Sequence, residues 1–167
     1  MTSDGESFDS YVSAQGAALL RFAYVLTGDH HLAEDLVQEA LVKAHRRWSR
    51  IDQPGAYVKK AVLRQYLSWR RRRSSAERPL DVPIEDTAGL DHAQQVADRH
   101  ALRGLLATLP RQQRAVLVLR FFEDLGDEAI AGLVGCSAAT VRAHASKGLS
   151  RLRRSARTVS AEYGGNP

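Results

Sequence analysis

Apolar residues fall at helical spacing along most of this chain. Phe8, Tyr11, Val12, Leu19, Leu20, Phe22, Ala23 and Leu26 recur in the first segment, which predicts a helix. Thr27-Gly28-Asp29 breaks it, and Asp29 stands where it would cap the next helix. That second helix is expected over about His30–Trp48, with Leu32, Leu36, Ala40 and Ala44 as its inner stripe. Ile51-Asp52-Gln53-Pro54-Gly55 reads as a turn, with Pro54 near the start of a third helix at about Gly55–Arg73. Residues 74–90, SSAERPLDVPIEDTAGL, hold two prolines, small polar residues and acids, and read as a linker. Beyond it Val96, Leu102, Leu105 and Leu106 mark a helix that stops near Pro110. Ala115, Val116, Leu119 and Phe122 mark the next, and Gly126 opens a helix-turn-helix. No strand-type alternation of useful length and no internal repeat occurs. The pattern predicts an all-α chain of two small helical domains, 1–73 and 96–157, joined by a flexible acidic linker, 74–95. The C-terminal domain contains the helix-turn-helix, and residues 158–167, TVSAEYGGNP, are expected to form a mobile tail too short for a further signalling domain.

Charge sharpens this division. The 167 residues carry a net charge of +5 at a pI of about 9.7, which favours polyanionic partners without fixing a fold. Residues 1–73 are net +4, residues 74–95 net −4 and residues 96–167 net +5, so two basic blocks flank an acidic spacer. Domains of this size fold with modest stability. The single cysteine excludes an internal disulfide. The polar, acidic start MTSDGESFDS is not that of a signal peptide, and the strongest apolar run, Ala115–Leu119, is too short to span a bilayer. A cytoplasmic protein is the expectation.

The stretch GDEAIAGLVGCSAATVRAHASKGLSRLRR carries the clearest chemistry. Ile130, Ala131 and Val134 give its first helix an apolar face, Gly135 suits the tight turn, and Ser137 is placed to cap the second helix through its hydroxyl. Val141 would point inward and lock the two helices together, and Cys136 reads as a small apolar residue packed between them. From Ser137 to Arg157 there are six basic residues and no acid. Thr140, Arg142, Ala143, His144 and Lys147 fall in the N-terminal turns, the part that enters a DNA major groove. Arg and Lys pair with guanine edges there, while Arg151, Arg153 and Arg154 suit phosphates. The first helix lacks a capping box, having Gly126 and Ala129 at its two positions; Asp127 or Glu128 would serve the helix start electrostatically.

A second acid-free basic helix lies earlier. AYVKKAVLRQYLSWRRRR combines seven basic residues with Tyr57, Tyr66 and Trp69. Cations neutralise phosphates and aromatic rings stack on unpaired bases, a mixture that suits melted DNA. Val58, Val62 and Tyr66 are expected in the core, leaving Tyr57 and Trp69 as aromatic contacts. The helix before it places Asp35, Gln38 and Glu39 on one side, opposite its apolar stripe. On composition alone that patch is ordinary helix surface; a basic protein partner is the alternative.

Together AEDLVQEALVKAHRRW, PGAYVKKAVLRQYLSWRRRR, the acidic linker, LPRQQRAVLVLRFFEDL and ATVRAHASKGLSRLRR resemble the extracytoplasmic-function sigma factors of the sigma-70 family, from about Phe8 to Arg154. The resemblance rests on order and spacing more than on any single motif. It implies a subunit that directs bacterial RNA polymerase to promoters. Asp35, Gln38 and Glu39 would dock on the clamp helices of the beta-prime subunit, and the beta subunit would contribute further core contacts. Tyr57, Lys60, Arg64, Trp69 and Arg71 would recognise and help open the −10 element. Thr140, Arg142, Ala143, His144, Lys147 and Arg151 would read the −35 element. An inhibitory anti-sigma factor is a further implied partner. The chain departs from the family pattern at Arg64, where Asn is frequent, at Ser68, where Asp is frequent, at His45, where an aromatic residue is common, and at His144, often an arginine. The −10 contacts and −35 preference therefore do not carry over in detail.

Two other classes fit these residues less well. A stand-alone helix-turn-helix regulator would leave the basic helix of the first block without a task, and that block lacks the alternating strands of a receiver domain. An enzyme is disfavoured: no Gly-rich loop follows a strand, His30 and His31 form no metal pattern with Cys136, and no Ser or Cys has a nucleophile's setting. No cofactor and no small-molecule substrate are expected.

Overall fold

The computed structural model describes residues 5–72 and 93–163. Seven α-helices are found among the described residues, and no strand: α1 (Phe8–Thr27), α2 (His30–Arg46), α3 (Pro54–Arg72), α4 (Ala93–Ala107), α5 (Arg111–Leu117), α6 (Asp127–Val134) and α7 (Ala138–Tyr163). A 3₁₀ turn, Trp48–Arg50, follows α2, and α5 continues into a π-helical turn, Val118–Phe122. Packing divides the chain into two units, Met1–Val82 and Pro83–Pro167. The chain is all-α, as its periodicity predicts.

In the first unit α2 packs on both α1 and α3. The Ser7 hydroxyl accepts from Ser10 N and starts α1. Gly28 ends α1 in the left-handed region at φ 68°, and Asp29 Oδ1 then accepts from His31 N and Leu32 N at 2.9 and 3.2 Å, so break and cap are adjacent residues. The core is Tyr11, Leu19, Phe22, Ala23 and Leu26 from α1, Ala33, Leu36, Val37, Ala40 and Ala44 from α2, and Val58, Val62, Leu63 and Tyr66 from α3. Leu20, one of the apolar residues at helical spacing in α1, is exposed, and Leu32 of the expected stripe of α2 is half-buried, with Ala33 and Val37 completing the inner face of α2 instead. An aromatic cluster ties the start of α1 to the end of α2. Phe8 meets His45 edge-on at 4.8 Å and Trp48 at 5.4 Å, Tyr11 lies 5.2 Å from Trp48, and Trp48 Nε1 donates to the Glu6 carbonyl. His45 thus takes a place in this aromatic cluster. Burial, then the nearby Glu6 carboxylate, pushes the Tyr11 phenol above its ordinary value.

In the second unit α7 packs against α4, α5 and α6. Leu106, Leu109, Ala115–Leu119, Ile130, Ala131, Val141 and Ala145 form its core. Gly148 permits the close approach of α5 to α7: a Cβ there would lie 2.9 Å from Leu117 Cδ1. Phe122, one of the apolar residues by which this helix is read, is 53% exposed, and Phe121 is 66% exposed. The π turn is the cause. Its i→i−5 bond runs from Glu123 N to Val118 O, so residues advance less around the axis than in an α-helix and Phe122 falls short of the inner face. Leu102 is likewise exposed. Helix α7 continues through residues 158–163, where a tail was expected. No glycine or proline interrupts that stretch, and the Thr158 hydroxyl turns back to the Arg154 carbonyl. The linker expected at 74–95 lies outside the described residues, except that 93–95 open α4.

Candidate nucleic-acid interface

The helix-turn-helix is built by local chemistry. Gly126 precedes α6 with extended backbone, and among the described residues no side chain hydrogen-bonds to that N-terminus. Asp127 and Glu128 occupy the first turn, where negative charge suits the helix dipole. Gly135, at φ 81°, closes α6 by donating its N–H to the Ala131 carbonyl, and Cys136 N reaches the same oxygen at 3.2 Å. A side chain with a Cβ is strained at that φ, so glycine makes the turn. The Ser137 hydroxyl then accepts from Thr140 N at 3.1 Å and lies 2.9 Å from the Thr140 hydroxyl. Val141 and Ala145 are buried and Cys136 is half-buried, which fixes α7 against α6.

The outward side of α7 is basic. Thr140, Ala143, Lys147, Arg151 and Arg154 are exposed, and His144 is half-buried. Spaced three and four residues apart, Thr140, Ala143, His144, Lys147 and Arg151 share one side of the helix. Arg142 does not join them. It lies toward the other edge of α7, with its guanidinium 3.6 Å from Asp127 on α6. Asp127 also pairs with Arg120 of the π turn. That acid–arginine contact between elements is invisible to any pattern within one helix.

In the first unit Asp35, Gln38 and Glu39 are all exposed on one side of α2. Glu39 pairs with Lys43 at 3.4 Å. Val42, 52% exposed, lies one turn further along the same side and was missed by the sequence reading. A valine three to four residues beyond the acidic positions was the available signal. On α3, Tyr57 and Lys60 are half-buried and Arg64 is exposed. Trp69 and Arg71 fall within the helical span of α3, but their side chains lie outside the described residues. Tyr57, Lys60 and Arg64 line a groove of about 490 Å³ together with Glu39, Lys43, Gln65 and Ser68. The acidic residue of α2 and the basic residues of α3, assigned from the sequence to different partners, thus border one groove. Both polar atoms of the Gln65 amide are buried without a hydrogen-bond partner among the described residues. Lys59 lies over the Phe22 ring, 5.9 Å from its centroid.

Among the described residues no three His, Cys, Asp or Glu side chains come together as a metal site would need, and no helix is long and apolar enough to cross a membrane.

Fold and surface together define a DNA-binding protein made of two helical units, one of them a helix-turn-helix. Comparison with known proteins makes this specific. The profile of Sigma-70 region 2 matches residues 11–76, and that of Sigma-70, region 4 matches residues 99–152. The RNA polymerase sigma-E factor of Streptomyces avermitilis is 36% identical over 149 residues, covering 87% of this chain and 83% of the relative. The ECF RNA polymerase sigma factor SigE of Mycolicibacterium smegmatis is 32% identical over 159 residues, covering 88% and 60%. The sigma factor RpoE of Bartonella quintana, solved in complex with the anti-sigma factor NepR, shares the fold at a TM-score of 0.69 and 23% identity, covering 88% and 94%. The chain belongs to the extracytoplasmic-function group of the sigma-70 family. It is an RNA polymerase sigma factor, a family of transcription initiation factors that bind core polymerase and promoter DNA. The match of both units excludes neither half from this role and disfavours a stand-alone regulator.

Proposed function

We propose that the two units divide promoter recognition between them, with residues 1–73 serving the −10 element and core polymerase and residues 96–157 serving the −35 element. In this reading Thr140, Ala143, His144, Lys147 and Arg151 enter the major groove along one side of α7, and Arg142 meets DNA from the other edge of the helix. Phosphate contacts set register and a few side chains supply base preference. Tyr57, Lys60 and Arg64, with Trp69 and Arg71, hold the opened −10 region, the aromatic rings stacking on unpaired bases. Asp35, Gln38, Glu39 and Val42 dock on the beta-prime clamp helices: three polar or acidic groups around an apolar centre suit a protein surface better than DNA. The exposed Phe121 and Phe122 offer a second apolar contact, assigned here to the beta subunit. The protein works in the cytoplasm, without catalysis and without a cofactor. By analogy with the NepR complex of the Bartonella protein, an anti-sigma factor would cover some of these surfaces.

The observation that carries the reading is the outward side of α7 up to Arg157, basic and without an acid behind a formed Ser137 cap and a buried Val141. Photo-crosslinking tests it. A photoreactive phenylalanine at position 57 or 143, in protein bound to core polymerase on promoter DNA, should crosslink near −10 from position 57 and near −35 from position 143. Crosslinks from both positions to one element would refute the division.

A further inference from the structure

We propose that Asp127 is a positioning residue for Arg142, trading DNA affinity for base discrimination at the −35 element. The inference rests on the proposed reading of α7 as the −35 reader. It starts from a mismatch of charge and place. From Ser137 to Arg157 this part of the chain carries no acid, yet one carboxylate from α6 reaches the side of α7. Asp127 Oδ1 pairs with Arg120, and its Oδ2 lies 3.6 Å from Arg142 Nη1. Arg120 sits in the π turn and is only 27% exposed, as is Asp127, so this half of the bridge is anchored in the body of the unit. Arg142 is the exposed partner, its side chain 61% accessible.

An unrestrained arginine on that edge would reach any phosphate within range, because its side chain is long and has many rotamers. Phosphate contacts raise affinity for every sequence alike. A guanidinium held by Asp127 presents its remaining N–H donors in a narrower set of directions. Such a donor rewards the matching base edge more than a phosphate. The carboxylate also repels the DNA backbone at this point, which lowers affinity for all sequences. Removing the acid therefore has a signature that a merely structural role would not give: affinity for arbitrary DNA rises while base preference falls.

The test uses the full chain bound to core polymerase and a duplex DNA library randomised across the −35 region. Wild type, Asp127→Asn, Arg142→Ala and the double variant are compared by enrichment and by binding to random-sequence competitor DNA at several salt concentrations. We expect Asp127→Asn to lower discrimination at one base position by roughly three- to ten-fold. Binding to the competitor should tighten, with the log–log salt slope steeper by about 0.9 as the freed arginine gains a phosphate. In the Arg142→Ala background the same change should do neither. Unaltered discrimination in Asp127→Asn overturns the proposal, as does an equal loss in both backgrounds. If Arg142→Ala itself leaves selection unchanged, it is the reading of Arg142 as a DNA contact that fails. Should Asp127→Asn not fold, Arg120→Met, which keeps Asp127 and Arg142 and removes only the anchor, carries the test, with a loss of discrimination supporting the proposal and none overturning it.

Discussion

Tyr11 is held in its neutral form by its surroundings. Burial first, then the Glu6 carboxylate, raises its pKa from the ordinary 10.0, so the folded state holds this proton more tightly than the unfolded chain. The stability it contributes is complete below about pH 10 and is lost as pH rises from there through the folded value. We expect thermal melting of the first unit to fall above pH 10, and Tyr11→Phe to flatten that fall. Equal pH dependence in the two proteins would exclude Tyr11 as its source. Gly148 makes a residue-scale test of the second unit. An added methyl would press on Leu117 in the contact between α5 and α7, and Gly148→Ala should cost about 1–3 kcal/mol in denaturant unfolding. Such residues differ in how readable they are. The Asp29 and Ser137 caps and the Gly135 turn were legible in the sequence because each acts within five residues of itself, and the inward Val141 because it follows the apolar pattern of one short helix-turn-helix. The Asp127 bridge was not, because its partners, Arg120 and Arg142, stand on other elements.

At the scale of elements, the helices follow from apolar periodicity, and the exceptions follow from departures from it. A period of 3.6 places Phe122 in the core; the π turn carries it out, and nothing in a run of apolar residues announces where a helix widens. Val42 lies on the acidic side of α2, off the apolar stripe by which the helix is read, and its exposure emerges only once α2 is packed. The groove shared by Glu39 and Arg64 arises from α2 packing on α3, which no single-helix pattern contains. Two predictions belong here. Reversing charge on the proposed docking side of α2, by Asp35→Arg or Glu39→Arg, should weaken capture of core polymerase roughly 100-fold by like-charge contact, with melting unchanged because both residues are exposed. Retained capture would remove α2 as the docking element. On α7, Lys147→Ala should reduce the salt dependence of holoenzyme binding to promoter DNA by about 0.9 in log–log slope if it meets a phosphate. An unchanged slope, with base preference altered instead, would place Lys147 among the base contacts.

For the whole molecule, two basic helical units matched by two distinct sigma-70 regions make each half incomplete alone. A helix-turn-helix of this size reads only a few base pairs, and general phosphate attraction does not distinguish promoters from other DNA. Tethering a second contact to the first turns two weak engagements into one specific one. The sequence made this architecture visible through its two basic blocks and acidic spacer, since charge segregation survives in composition even where contacts between elements do not. The most direct measurement is run-off transcription on a genomic promoter library with purified core polymerase, with and without the chain. The account predicts transcripts from a restricted set of start sites only when the chain is present, and their loss on Glu39→Arg. Transcripts identical in number and start site with and without it would contradict the account.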